Sequence, residues 1–167
     1  MSFVSSTFLL SPSLPPSLLR LSHSLTLLTF FPSQPIAKAT DPFICHCYDC
    51  RKLTASMFAS NFVVADEHTS FVRGKSYLST YGIASTTTTG NKMTNHFCKE
   101  CGTLMFRVGE GFPGTKIMRI GTVDDFSLQE TVLKPRVEQF TKDRVGWLEG
   151  SERFGVKQCE GYAFAKL

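Results

Sequence analysis

The chain has 167 residues, of which 42% are hydrophobic and 19% are charged, a balance typical of one globular domain with an extension. The formal net charge is +4, and Arg20 and Lys38 supply part of it in a first segment that holds no acid. Without these two, 16 Lys and Arg stand against 14 Asp and Glu. A nearly neutral body lacks the positive field that nucleic-acid binding requires, so we expect no nucleic-acid partner.

Residues 1–40 are rich in Ser, Leu and Pro and form a low-complexity extension. Their longest apolar run, residues 25–31, ends at Pro32 and is far shorter than the ~20 residues that cross a bilayer, so we expect no membrane partner. Three interpretations compete: a disordered or wrongly assigned start, a transit peptide, and a signal peptide cleaved near Ala37-Lys38-Ala39. We favour the first and therefore expect a cytoplasmic protein, or an organellar one if the segment is a transit peptide.

Short strands at regular spacing predict a mainly β domain over residues 41–150, followed by a tail at 151–167. The predicted strands span residues 58–64, 71–73, 76–81, 93–98, 104–108, 116–120 and 135–140. Gly74-Lys75 marks a turn, residues 83–91 are a turn or an exposed strand, and residues 109–114 form a loop. Residues 123–128 predict a short helical turn, with Asp124 and Asp125 as its cap.

Five of the six cysteines fall into two tight clusters, which favour a metal over disulfides. In the first, Cys45, Cys47 and Cys50 place three sulfurs within six residues. Zinc takes four ligands, so three sulfurs leave one position for water or substrate, as in a catalytic site. The alternative is a closed site whose fourth ligand comes from a distant residue. Metal-bound thiolates indicate a reducing compartment.

The second cluster is Cys98 and Cys101, followed by Gly102. The C-x-x-C-G pattern is half of a zinc-knuckle site, and Gly relieves crowding where backbone amides approach the sulfurs. Two ligands do not hold zinc well alone. The pair therefore needs two further ligands, and the first cluster is the nearest supply in the chain.

The combined pattern resembles a known family. C-H-C-x-x-C-R-K at residues 45–52, intervening strands, and H-F-C-x-x-C-G-T at residues 96–103 are similar to the glutathione-dependent formaldehyde-activating family, which includes centromere protein V. The resemblance covers about residues 43–147. It implies a β-tent fold, a zinc-ribbon-like arrangement of stacked antiparallel sheets, with two zinc sites. It also implies that Cys45, Cys47 and Cys50 hold a catalytic Zn²⁺, and that Cys98 and Cys101 belong to a structural one.

One departure from the family matters. Its structural zinc takes two more cysteines from a C-x-C about twenty residues before the first cluster, and residues 21–31 of this chain contain no cysteine. The structural site is therefore expected to be incomplete. Either the domain lacks its first strand, or Cys98 and Cys101 have other partners. One such alternative is a single closed site made of Cys47, Cys50, Cys98 and Cys101, without catalysis.

Other residues carry weaker predictions. His46, between two candidate ligands, and His96, on the strand face of Cys98, are more often structural than ligating. Arg51 and Lys52 either attract a carboxylate of glutathione or are a solvated pair. Cys159 has no neighbour at ligand spacing, and we interpret it as a plain cysteine.

The resemblance implies a zinc-dependent carbon–sulfur lyase that joins glutathione, or another thiol, to an aldehyde to give adducts such as S-hydroxymethylglutathione. Its partners are then small molecules. Two alternatives remain open from sequence: a non-catalytic zinc-stabilised binding module, and a truncated copy with an incomplete structural zinc site. The sequence does not predict an oligomeric state.

Overall fold

The computed structural model describes residues 21–22, 29–32, 40–87 and 89–163. The interpretations given above for residues 1–20, 23–28 and 33–39 concern parts of the chain outside these ranges. Within them the chain forms eleven strands and two short α-helices, α1 (Tyr48–Thr54) and α2 (Ser127–Glu130). The strands are β1 (Leu21–Ser22), β2 (Thr29–Pro32), β3 (Thr40–Cys45), β4 (Ala59–Ala65), β5 (Thr69–Arg73), β6 (Leu78–Ile83), β7 (Met93–Cys98), β8 (Leu104–Gly109), β9 (Thr115–Arg119), β10 (Val137–Gln139) and β11 (Lys157–Cys159).

The strands form two sheets. The larger one has eight strands in the order β11-β10-β3-β4-β9-β8-β7-β6, and the smaller one has the order β1-β2-β5. The prediction of a mainly β fold is confirmed. Most pairings are antiparallel as expected, but β10 runs parallel to both β3 and β11. These two parallel pairs join segments that are distant in the chain, which local sequence patterns do not reveal.

The predicted strands begin and end within two residues of the observed ones, because they are rich in the apolar, β-branched and aromatic residues that strands favour. Residues 93–98 form β7 as predicted. The turn at Gly74 has a φ of 77°, a conformation that glycine adopts without strain. Asp125 accepts a hydrogen bond from the Ser127 backbone N–H at the start of α2, 3.0 Å away, which agrees with its predicted capping role.

Each face of the large sheet carries its own buried cluster. One face carries an apolar core that the central strands β4, β8 and β9 share with the segment after β9. Its buried members are Phe62, Val64, Met105, Phe106, Met118, Ile120, Val123 and Leu133. The opposite face carries a second cluster that contains Cys45 and Cys50 together with Phe43, Ala59, Val137 and Phe140. The first cysteine cluster therefore lies against a sheet face that is buried by packing.

In the described part of the chain, no helix is long and apolar enough to span a membrane.

Candidate metal centre

The structure brings together the sulfur atoms of Cys45, Cys47 and Cys50, a group we call the triad. Cys45 is the last residue of β3, Cys47 is the N-cap of α1, and Cys50 lies in the first turn of that helix. The three sulfurs all lie within 4.8 Å of one another. Cys45 and Cys50 are buried and Cys47 is partly exposed, so the triad has one side that a ligand can approach.

This spacing fits a tetrahedral ion. Bonds of about 2.3 Å to zinc at tetrahedral angles would place sulfurs about 3.8 Å apart, which is within the observed limit. The donors are thiols, which zinc binds as thiolates. The residues present therefore fit a zinc ion, and within the described residues no fourth His, Cys, Asp or Glu atom joins the group.

The triad also favours one thiolate before any metal binds. Hydrogen bonds from the thiols of Cys45 and Cys47 lower the pKa of Cys50 well below its usual value, and the nearby charges of Arg119 and Arg107 lower it further, while burial opposes them. The pKa of Cys45 is raised in turn, because its thiol is held by Cys47 and Cys50 and is buried. The surroundings of Cys50 therefore favour its thiolate form.

A buried hydrogen-bond network on the other side of the loop fixes the triad in place. His46 is 1% exposed, and its Nε2 donates to Glu138 Oε1 at 2.7 Å, while its Nδ1 lies 3.3 Å from the Met57 carbonyl oxygen. The His46 backbone N–H also donates to the Gln139 carbonyl, 3.1 Å away. His46 therefore points away from the triad and anchors the loop between Cys45 and Cys47, in agreement with a structural role.

Cys98 and Cys101 form a separate pair. Cys98 is the last residue of β7 and is buried, and Cys101 is exposed in the following turn. Gly102 closes this turn with a φ of 77°, and its backbone N–H donates a 2.7 Å hydrogen bond to the Cys98 carbonyl. Hydrogen bonds from Thr103 and Cys98 lower the pKa of Cys101 against the raising effect of burial. Among the described residues, neither sulfur joins a group of three or more ligand atoms. The structure does not bring this pair together with Cys47 and Cys50 in one group of ligand atoms within the described residues.

Comparison with known proteins agrees with the two cysteine motifs. The family model described as "Glutathione-dependent formaldehyde-activating enzyme" matches residues 32–143, a span that contains both clusters. The chain belongs to the glutathione-dependent formaldehyde-activating enzyme family. Membership supports a function in glutathione-linked aldehyde activation. No curated protein matches the chain by sequence.

A solved structure shares the fold. A crystal structure of a Rhodobacter sphaeroides protein aligns with a TM-score of 0.51 and 13% sequence identity, covering 84% of this chain and 98% of the other. At this identity the likeness concerns the fold alone.

This family member carries two buried arginines beside the triad, which the sequence analysis missed. Arg107 on β8 and Arg119 on β9 are 6% and 5% exposed. Arg107 Nη1 lies 3.7 Å from Cys50 Sγ, and Arg119 interacts with the same sulfur. Burial lowers the pKa of Arg119, and the charge of Cys50 opposes this effect. The signal in the sequence was an arginine inside an apolar strand, which is uncommon unless the charge has a partner.

Arg51 and Lys52 lie on the outer side of α1. Together with Tyr48, Met57 and Asp143 they line a groove of about 600 Å³. Arg51 is tied down there, because its Nη1 donates to the Asp143 carbonyl at 3.2 Å. Lys52 is exposed, with its Nζ 5.6 Å from the centre of the Tyr48 ring. Both cations therefore line the groove, and Lys52 is the more accessible of the two to an anionic molecule.

The remaining predicted residues lie away from the triad sulfurs. The His96 ring stacks on Phe106, with ring centres 4.3 Å apart, on the apolar face of the sheet. Cys159 is a free cysteine on β11, packed beside the cluster that contains Cys45. Both agree with the structural roles that the sequence analysis favoured.

Proposed function

We propose that this protein is a zinc-dependent carbon–sulfur lyase that acts on a glutathione–aldehyde adduct, forming S-hydroxymethylglutathione from glutathione and formaldehyde. The observation that carries the proposal is the convergence of three cysteine sulfurs within 4.8 Å in a member of this family. Three sulfur donors with an open fourth position favour a catalytic zinc over a closed structural one.

The triad would hold the zinc, which supplies positive charge that favours the thiolate form of a thiol at its open position. The chain's own residues bind and orient the reactants. We place the carboxylates of glutathione against Arg51 and Lys52, since both cations line the groove on the outer side of the helix that carries Cys50. Orientation of this kind lowers the entropic part of the barrier.

The chemical step is an addition. The glutathione sulfur forms a bond to the formaldehyde carbon while the C=O π electrons move to the oxygen, which gains the proton that the thiol lost. No oxidant or reductant is needed. Three thiolate donors make a bound zinc a weak Lewis acid, so positioning of the two reactants by the protein carries much of the expected rate gain.

One observation favours a second candidate, a copy of the family domain with an incomplete structural zinc site. Cys98 and Cys101 are a pair without further ligands among the described residues, and residues 21–31 contain no cysteine. In such a protein the triad still binds zinc. The second candidate differs from the first by a less stable domain and by the absence of adduct formation.

The test combines zinc stoichiometry with an exchange measurement. We expect about one tightly bound zinc per chain, since within the described residues only the triad brings three sulfurs together. We also expect the protein to accelerate the exchange between glutathione and its formaldehyde adduct, which two-dimensional NMR follows. Cys47→Ser should remove most of the zinc and the acceleration. Cys159→Ser is the matched control, since Cys159 is a free cysteine outside the triad, and it should keep both.

The outcomes separate the candidates. Zinc retained by Cys47→Ser at the wild-type level would rule out the triad as the metal site. If Cys47→Ser loses its zinc but the wild-type protein accelerates the exchange for none of the thiol and aldehyde pairs tried, the incomplete copy is the better description.

A further inference from the structure

The inference starts from a row of polar side chains across the triad face of the large sheet. Asn61 on β4 pairs in register with Arg119 on β9, and Asn95 on β7 pairs with Arg107 on β8. Arg107 lies opposite Ile117, two residues before Arg119, so both arginines project from the same face. Cys45 reaches that face as well, because it pairs with Ala59, two residues before Asn61.

Both arginines keep hydrogen-bonding capacity that the protein does not use. Arg119 Nη1 donates to Asn61 Oδ1, and Arg107 Nη1 faces Cys50 Sγ. The Nε and Nη2 atoms of both arginines are buried and have no hydrogen-bond partner. In the described part of the chain no carboxylate pairs with either guanidinium. Four unpartnered nitrogens against a single unpartnered oxygen, Asn95 Oδ1, give the row an excess of donors.

The charges of the site lead to the same conclusion. Three thiolates and one divalent ion together carry one negative charge, and the two guanidiniums carry two positive charges. Within this set of groups one positive charge is therefore left over, and an unpaired charge in a buried site is costly. Asp49, the residue before Cys50, is also buried, but its carboxylate accepts a hydrogen bond from Thr86. A neutral fourth ligand leaves this excess in place, whereas an anionic fourth ligand removes it.

We propose that Arg107 and Arg119 make the open position of the triad selective for an anionic ligand, a thiolate or an oxyanion, over a neutral one. The inference rests on the proposed function, because it needs a divalent ion held by the triad. The arginines act here as positioning residues through their charge. The guanidinium atoms are buried, so they are not required to touch the incoming ligand.

Cobalt substitution provides a spectroscopic test that does not use activity. Co²⁺ replaces the metal in the full chain, and its visible absorption reports both the sulfur donors and the fourth ligand. Azide is the anionic probe and imidazole is the neutral one. We expect the wild-type protein to bind azide more tightly than imidazole. Arg119→Gln and Arg107→Gln should each reduce the azide-to-imidazole affinity ratio at least about tenfold, because each removes a unit charge near the metal at an effective dielectric of about 20.

Three further variants sharpen the test. Arg119→Lys and Arg107→Lys keep the charge and should restore most of the ratio. Arg153→Gln, which removes an exposed arginine that is 68% accessible, should leave the ratio unchanged, because solvent screens its charge.

The outcomes are distinct. Absence of sulfur-to-cobalt absorption in the wild-type protein would contradict the proposed function itself. If the wild-type protein binds cobalt normally but binds azide no more tightly than imidazole, this inference alone is overturned. That measurement needs only the wild-type protein, so it remains decisive if a variant does not fold. An unchanged ratio in both glutamine variants would show that the arginines serve only to offset the thiolates.

Discussion

Two buried charged clusters flank the loop that carries the triad, and they differ in how completely the protein pairs their polar atoms. On one side, Glu138 is 2% exposed and accepts hydrogen bonds from four residues: His46, Arg144, Ser151 and Gln158. On the other side, Arg107 and Arg119 retain four nitrogens without a partner. A network whose polar atoms are all paired within the chain stabilises the fold, whereas buried charges that keep unpaired donors are more typical of a functional site.

The energetic consequences differ accordingly. Removing the acceptor at the centre of a complete network leaves several donors unpaired, and each buried unpaired group costs about 1–3 kcal/mol. Removing a buried charge that already lacks a full set of partners relieves a desolvation cost, which offsets much of the lost packing. Substitution on the two sides therefore tests the comparison directly.

The largest effect is expected for Glu138→Ala. This change leaves His46 Nε2 and the Ser151 backbone N–H without their acceptor and removes one of the acceptors of Arg144, so we expect the free energy of unfolding to fall by about 3–5 kcal/mol. Urea unfolding of the metal-free protein measures it. Glu152→Ala is the control, since Glu152 also pairs with Arg144 but is 52% exposed, and it should cost less than about 1 kcal/mol. Equal losses for the two variants would contradict a central role for Glu138.

Lowering the pH is expected to have an intermediate effect on the free energy of unfolding. Burial acts to raise the pKa of Glu138, but hydrogen bonds from Ser151, Arg144 and His46 outweigh it and lower the pKa from 4.5 to about 2. A carboxyl whose pKa is lower in the folded state than in the unfolded state stabilises the protein at pH values above its unfolded-state pKa. This stabilisation is lost as the pH falls to the folded-state pKa. The stability contributed by Glu138, a few kcal/mol at most, should therefore disappear between pH 4.5 and about 2.

Glu138→Gln provides the comparison for this titration. The stability difference between wild-type protein and Glu138→Gln, both free of metal, should be largest above pH 4.5 and should shrink as the pH falls. A difference that stays constant over this range would mean that the charge of Glu138 does not stabilise the fold.

The smallest effect on stability is expected for Arg119→Met. The variant loses the hydrogen bond to Asn61 but no longer buries a charge, so we expect the unfolding free energy of the metal-free protein to change by about 1 kcal/mol or less. Urea unfolding at neutral pH checks this value. A loss as large as that of Glu138→Ala would place Arg119 among the residues that hold the fold.

Much of the fold could be predicted from the sequence, because the strands are short runs rich in apolar, β-branched and aromatic residues that are bounded by turn residues. The helix α1 could not. It has seven residues, its N-cap Cys47 makes no capping hydrogen bond through its side chain, and its sequence lacks the apolar repeat of a longer helix. The strand β3 was also missed, although its register with β4 positions Cys45.

The candidate site divides in a similar way. The triad could be predicted because three cysteines within six residues can meet on one ion when the backbone turns sharply, as it does between β3 and α1. Arg107, Arg119 and Glu138 could not, because their positions depend on strand pairings between distant segments. Arg119 reaches the triad face only through its pairing with Asn61, and Glu138 reaches His46 across 92 residues of sequence. Charged residues within short apolar strands are the signal that such reasoning should look for.

The parallel pairing of β10 with β3 has a consequence for how the chain is made. Cys45, Cys47 and Cys50 leave the ribosome long before β10 and β11. β10 pairs with the edge of β3 that β4 leaves free, and β11 pairs with β10. A metal ion that arrives early would meet three sulfurs on a loop whose supporting strands have not yet been synthesised. The centre can therefore take its final shape only after residues 137–159 have been translated.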